Sequence, residues 1–280
     1  MRINKDSLKA RVNRISKELS IPANVVYDRF FFDAFLSRLA VSPFNDRFIL
    51  KGGLYLSNVF GVDTRSTMDM DFYIKKLKME EESVIETVTQ IAGLDLNDNI
   101  SFRVIGTEGI RPEDPYGGFR VKAVGRLENV RYEFGVDIAT GDPIVPSERK
   151  YGYKCLITGD TLLINAYSLE SVIAEKLETV LARQFANSRS KDYYDLCVLR
   201  KTRMDEVDLS LLKKAFKQTC EYRRFAITKN DALALIEEIG VNSQIKSRWF
   251  AYTRRNAYAH GMIWKDVIKS IIEWVNDIFY

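Results

Sequence analysis

The sequence predicts an α+β chain, with a mixed-sheet α/β lobe over residues 1–165 and an all-helical lobe over 166–280. Three observations carry this reading. Short apolar runs between residues 48 and 138 alternate with turn residues and two helical stretches, as the strands of one sheet and its covering helices would. From Ser168 onward apolar residues recur at helical spacing almost without a break. Residues 139–165 lie between these patterns and read as irregular, opened by the chain-breaking triplet Gly141-Asp142-Pro143.

Two helices open the chain. Asp6 or Ser7 is placed to cap the first, whose Leu8, Val12, Ile15 and Leu19 share a face. Pro22 starts the second, which carries Val25, Val26, Phe30, Phe35, Leu36 and Leu39 and ends near Pro43. A short buried strand follows at 48–50, then a glycine pair, a helix over 54–60, and a strand begun by Asp69 and Asp71. A helix is expected over 79–92 and strands over 100–105, 119–127 and 132–138, with a short one at 162–164. Helical patterns fill 168–186, 190–200, 208–221, 229–238, 241–260 and 264–279.

Composition narrows the classes. The 280 residues are 46% hydrophobic and 29% charged, enough for two separate cores. A net charge of +4 gives a weak whole-molecule field but permits a local basic face. No run of 18 apolar residues occurs and the start lacks a signal-peptide core, so a cytoplasmic protein without a membrane span is expected. Cys155, Cys197 and Cys220 form no CxxC pair and read as buried thiols of a reducing compartment. His260 is the only histidine, which excludes a histidine-rich metal centre, and no GxSxG elbow supports a serine hydrolase.

The chemistry concentrates in two stretches. Lys51-Gly52-Gly53-Leu54 follows an apolar run, and fifteen residues, 54–68, lead to Asp69-Met70-Asp71 at the head of a second. Residues i and i+2 of a strand share a face, so the two carboxylates would project together, ~7 Å apart at the backbone. Such a pair repels itself unless a cation stands between, and Mg²⁺ with phosphate oxygens suits it. Gly52 and Gly53 can bring backbone amides close to a phosphate. Asp137, late in an alternating strand, is the natural third carboxylate; Asp142 competes but reads as a turn residue. Arg65 either holds a phosphate or sugar or pairs with Asp63 or Asp69.

The second stretch is helical. Lys176 falls on the inward stripe of the 168–186 helix between Val172 and Val180, with Arg183 two turns on; it is a snorkelling lysine or a triphosphate ligand. Asp192 and Asp195 sit one turn apart in Ser190-Lys191-Asp192-Tyr193-Tyr194-Asp195, where acids also complement a helix dipole. The segment Arg248-Trp249-Phe250-Ala251-Tyr252-Thr253-Arg254-Arg255 interleaves cations and aromatics, as an RNA-gripping surface or a basic helix with a core side would.

Taken in order, Lys51-Gly52-Gly53, Arg65-Ser66-Thr67-Met68-Asp69-Met70-Asp71, Glu175-Lys176-Leu177-Glu178 and Arg189-Ser190-Lys191-Asp192-Tyr193-Tyr194-Asp195-Leu196 resemble the AbiEii/AbiGii toxin family of nucleotidyltransferases, over about residues 20–280. The resemblance implies a DNA polymerase beta-type nucleotidyltransferase fold with an appended helical lobe. It implies NTP and Mg²⁺ use and addition of nucleotides to the acceptor end of tRNA or another RNA. It also implies a type IV toxin–antitoxin or abortive-infection role, with a cognate antitoxin in or out of stable complex. It maps the metal acids onto Asp69 and Asp71, the NTP lysine onto Lys176 and the last motif onto Asp192 and Asp195; Asp137 fits the superfamily's third acid. The superfamily's Gly-Ser is Gly-Gly here, so backbone amides must replace the serine contact. Two rivals stand beside it: an aminoglycoside-type small-molecule nucleotidyltransferase, and a non-catalytic NTP-binding or interaction module.

Overall fold

The computed structural model describes residues 3–110, 117–141 and 143–279, and Asp142 therefore lies outside the described residues. The chain divides into two compact units, one formed by Met1–Gly141 with Arg149–Ala166 and the other by Asp142–Glu148 with Tyr167–Tyr280. Among the described residues no helix is long and apolar enough to cross a membrane.

The first unit opens with helices α1 (Lys5–Glu18) and α2 (Ala23–Val41). Asn4, rather than Asp6 or Ser7, caps α1, its side chain accepting the Ser7 N–H at 2.8 Å. The remaining elements run β1 (Phe48–Lys51), α3 (Gly52–Phe60), β2 (Met70–Ile74), α4 (Glu81–Ala92), β3 (Ile100–Ile110), β4 (Gly118–Leu127), β5 (Val130–Ala139), β6 (Arg149–Lys154) and β7 (Thr161–Ala166). They make one seven-stranded mixed sheet in the order β3-β4-β5-β2-β1-β7-β6. Strand β7 contains the short strand expected at 162–164, while β6 corrects the expectation of an otherwise irregular 139–165 segment. The strands of this hairpin alternate weakly, and the turn between them closes on Gly159 at φ +75°, a signal that a single glycine does not announce.

Strand β5 shows why the sheet has two different faces. Phe134, Val136 and Ile138 are buried, while Glu133, Gly135 and Asp137 alternate with them on the other face. The buried face packs on α2 through an aromatic cluster in which Phe32, Phe35, Phe102 and Phe134 meet edge to face at 5.8–6.0 Å. Helix α2 is buried all round, so its charged side chains need internal partners. Arg38, fully buried, forks onto Asp98 at 2.9 and 3.0 Å. Asp33 accepts from Arg29 Nε, the Tyr153 hydroxyl and the Leu156 N–H at 3.1, 2.6 and 2.6 Å, which ties α2 to the β6–β7 hairpin.

The second unit is helical: α5 (Leu169–Arg183), α6 (Ser190–Thr202), α7 (Leu209–Tyr222), α8 (Lys229–Val241), α9 (Ser243–Arg255) and α10 (Trp264–Ile278). Its helix starts carry side-chain caps at Ser168, Asp208, Thr228 and Asn242. Helix α9 stops at Arg255, short of the expected 260, and a single 3₁₀ turn follows at Ala257–Ala259. Trp274 anchors α10 by donating to the Leu196 carbonyl at 3.0 Å, and Trp264 donates to Gly240 at 3.0 Å. Cys155 and Cys197 are buried, Cys220 is half-buried, and all three thiols are free.

Candidate active site

The first cluster is assembled by strand register on the open face of the sheet. Parallel pairing of β2 and β5 sets Asp71 opposite Asp137, antiparallel pairing of β4 and β5 sets Arg120 opposite Asp137, and β1 sets Lys51 opposite Asp71. Directly opposed residues of paired strands share a face. A row of two acids flanked by two cations therefore crosses four strands, Arg120, Asp137, Asp71, Lys51. Asp69 lies one residue before β2 rather than within it, its N–H bonded to Thr67 Oγ1 at 3.2 Å and its side chain 43% exposed.

The glycine pair has a local steric reason. Gly52 opens α3 at φ +65°, and a Cβ there would stand 2.2 Å from Asp71 Oδ2. A Cβ at Gly53 would stand 2.5 Å from Thr67 Oγ1. The Gly53 N–H lies 3.4 Å from Asp71 Oδ2. Here the two glycines thus let Asp71 and Thr67 press against the start of α3. Arg65 is buried and bonds the Ser66 carbonyl.

Asp137 is held by an arginine. Arg120 forks onto it, Nε to Oδ1 at 2.6 Å and Nη2 to Oδ2 at 2.7 Å, and the same Nη2 is 3.9 Å from Asp69 Oδ1. Hydrogen bonding to Asp137, the largest cause, raises the Arg120 pKa further, so the guanidinium is permanently charged. Among the described residues no group of three or more His, Cys, Asp or Glu is arranged to hold a metal ion. Register thus sets Asp137 beside Asp71, and the Arg120 guanidinium reaches both Asp137 and Asp69. Beside Asp69 opens a groove of about 280 Å³ lined by Met68, Ile105, Glu108, Arg120, Lys122 and Gly135. The sequence does not single out Arg120 and Gly135; their importance follows from cross-strand register, for which one chain carries no local signal.

The second cluster lies wholly in the helical unit. Lys176 Nζ bridges Asp192 Oδ1 at 2.7 Å and Asp195 Oδ2 at 2.8 Å, with side chains 13%, 3% and 0% exposed. Burial opposes the ammonium charge, but the two carboxylates outweigh it and raise the Lys176 pKa. Arg189 Nε adds a contact to Asp192 Oδ2 at 3.3 Å. Between the acids, burial pushes the Tyr193 hydroxyl up to about 12. Arg183 is exposed in the last turn of α5. Of the basic segment on α9, Arg248 donates to the carbonyls of Phe185 and Asn187 at 3.0 and 3.2 Å, Trp249 is buried, and Arg254 and Arg255 are exposed.

A family model for the nucleotidyl transferase AbiEii toxin of type IV toxin–antitoxin systems matches residues 34–262. The crystal structure of JHP933 from Helicobacter pylori aligns with a TM-score of 0.53 at 15% identity, covering 91% of this chain and 92% of that one. A candidate nucleotidyltransferase from H. pylori aligns with a TM-score of 0.52 at 14% identity, covering 92% of this chain and 96% of that one. At such identities the likeness speaks for the fold alone. Comparison with curated proteins finds no match.

Proposed function

The chain belongs to the AbiEii nucleotidyl transferase toxin family of type IV toxin–antitoxin systems, and on that premise we propose that it transfers nucleotides from an NTP to an RNA acceptor, the tRNA 3′ end, and so blocks translation. The observation that carries the reading is Asp71 held against the Gly52–Gly53 turn on the open face of the sheet, with the solvent-open Asp69 two residues before it.

Their donor set fits Mg²⁺. Two carboxylates are the hard oxygen ligands that this ion takes together with substrate phosphates, and Asp69 is open to solvent. Bound there, Mg²⁺ would offset phosphate charge and polarise a phosphoryl oxygen. The chain's own groups do the remaining work. Backbone amides at Gly52 and Gly53 stand in for the missing serine toward phosphate, and Arg65 and Arg183 are the candidate cations for the nucleotide. Lys176 is the candidate NTP contact, and either Asp192 or Asp195 the acid that orients the acceptor hydroxyl or takes its proton. NTP and tRNA both place this activity in the cytoplasm. The cognate antitoxin is the protein partner that the family implies.

Purified protein incubated with labelled NTPs, Mg²⁺, total tRNA and an aminoglycoside separates the readings. Labelled tRNA is expected. Labelled drug would establish the small-molecule rival, and no label despite NTP binding would establish a non-catalytic module. Asp69→Ala should reduce transfer by roughly 10²–10³-fold or more with the fold intact, and undiminished transfer by that variant would defeat the mechanism.

A further inference from the structure

We propose that Arg120 is a positioning residue that locks Asp137 onto the sheet and confines the divalent-metal site to Asp69 and Asp71. This deepens the metal-dependent transfer proposed above and rests on it.

Register brings Arg120, Asp137 and Asp71 into one row across three adjacent strands. The arginine fork engages both Asp137 oxygens at 2.6 and 2.7 Å, which fixes the carboxylate's orientation and sets a positive charge against any metal ion drawn to its remaining lone pairs. The same guanidinium stands 3.9 Å from Asp69 Oδ1, where a second metal would otherwise be drawn.

Gly135 shows that the arrangement is built. It lies between Glu133 and Asp137 on the open face of β5, and a Cβ added there would meet Arg120 Cδ at 3.1 Å and Cγ and Nε at 3.2 Å. The missing side chain lets the arginine stem lie across β5 and present its fork squarely to Asp137. On the far side, Glu108, the strand partner of Arg120, is taken by Lys122 at 2.5 Å, which leaves Asp137 as the bidentate partner of the guanidinium. In a two-metal site a third carboxylate helps to hold a second exchangeable ion. In this chain a fixed, non-exchanging cation occupies that role, so the site is a one-metal site.

Titration of the full chain with Mn²⁺ alone, read by electron paramagnetic resonance and calorimetry, tests this without any turnover. The wild type should bind a single Mn²⁺, with Asp137→Asn changing its affinity less than about twofold. Arg120→Ala and, independently, Gly135→Ala should each tighten binding or add a second ion by about tenfold in affinity, the scale on which neighbours of ligands act, and adding Asp137→Asn should remove that gain. Loss of wild-type binding in Asp137→Asn, or unchanged affinity in both Arg120→Ala and Gly135→Ala, overturns the inference while leaving the metal reading intact. Wild-type protein that binds no Mn²⁺, or binding unaffected by Asp69→Asn, overturns the metal reading and this inference with it.

Discussion

At the scale of single residues, the two clusters differ in what their charges do. Lys176 is enclosed with two carboxylates, so removing it leaves a pair of buried anions without a counter-charge. Lys176→Met should cost about 3–5 kcal/mol in urea denaturation at neutral pH, as breaking a buried pair does. The pH dependence has a definite sign. A lysine whose folded pKa is raised stabilises fully below its unfolded value, near 10.5, and loses that contribution as pH climbs through the folded value. The gap between wild type and Lys176→Met should therefore stay flat from neutral pH to about 10 and close above it. A gap that persists through strong alkali would show that the ammonium charge is not what stabilises the cluster. The residue types of both clusters were legible in the sequence. Lys51-Gly52-Gly53, Asp69 and Asp71, Lys176, and Asp192 with Asp195 each stand in short motifs. What each side chain touches was not. Gly52 reads equally well as a phosphate cradle or as room for Asp71, because an absent Cβ does not say which neighbour fills its space.

At the scale of elements, the long periodic helices from 168 onward were readable because their apolar spacing exceeds several turns. The strands β3, β4 and β5 were readable by alternation. Of the β6–β7 hairpin only β7 was, as the short strand at 162–164; β6 was not, since Arg149–Lys154 alternates tyrosine with lysine and glycine, and its stability comes from elsewhere. That source is α2: Asp33 receives the Tyr153 hydroxyl and the Leu156 N–H while paired with Arg29, which in turn donates to Ser57 at 3.1 Å. The sequence of α2 reads as a helix with apolar residues but carries no hint that its acid closes a hairpin more than a hundred residues later. Asp33→Ala strips Arg29 of its buried counter-charge and should destabilise the first unit by about 3–5 kcal/mol. Amide exchange should quicken first in β6 and β7, and unchanged protection there would show that the hairpin is held by other contacts.

At the scale of the whole molecule, the net charge of +4 is too small to draw nucleic acid to the chain at large, so any RNA affinity must come from local cations. The exposed pair Arg254 and Arg255 at the end of α9 is the candidate. Replacing both with serine should flatten the slope of log K against log salt for tRNA by about one to two units; an identical slope would place the RNA contacts elsewhere. The fold class, a mixed sheet followed by helices, was legible from the switch in periodicity near residue 165, whereas the strand order was not. Parallel neighbours β2–β5 and β1–β7 join residues far apart along the chain, and local pattern is blind to such pairings. That order also sets a timetable for synthesis. As the polypeptide leaves the ribosome, β2 emerges with Asp69 and Asp71 well before β5 arrives to shield its edge and bring Asp137 and Arg120 alongside. A nascent or prematurely terminated chain ending short of β5 thus carries both acids but lacks Asp137 and the strand that aligns Arg120 with them, and the row stays unassembled until β5 has been made.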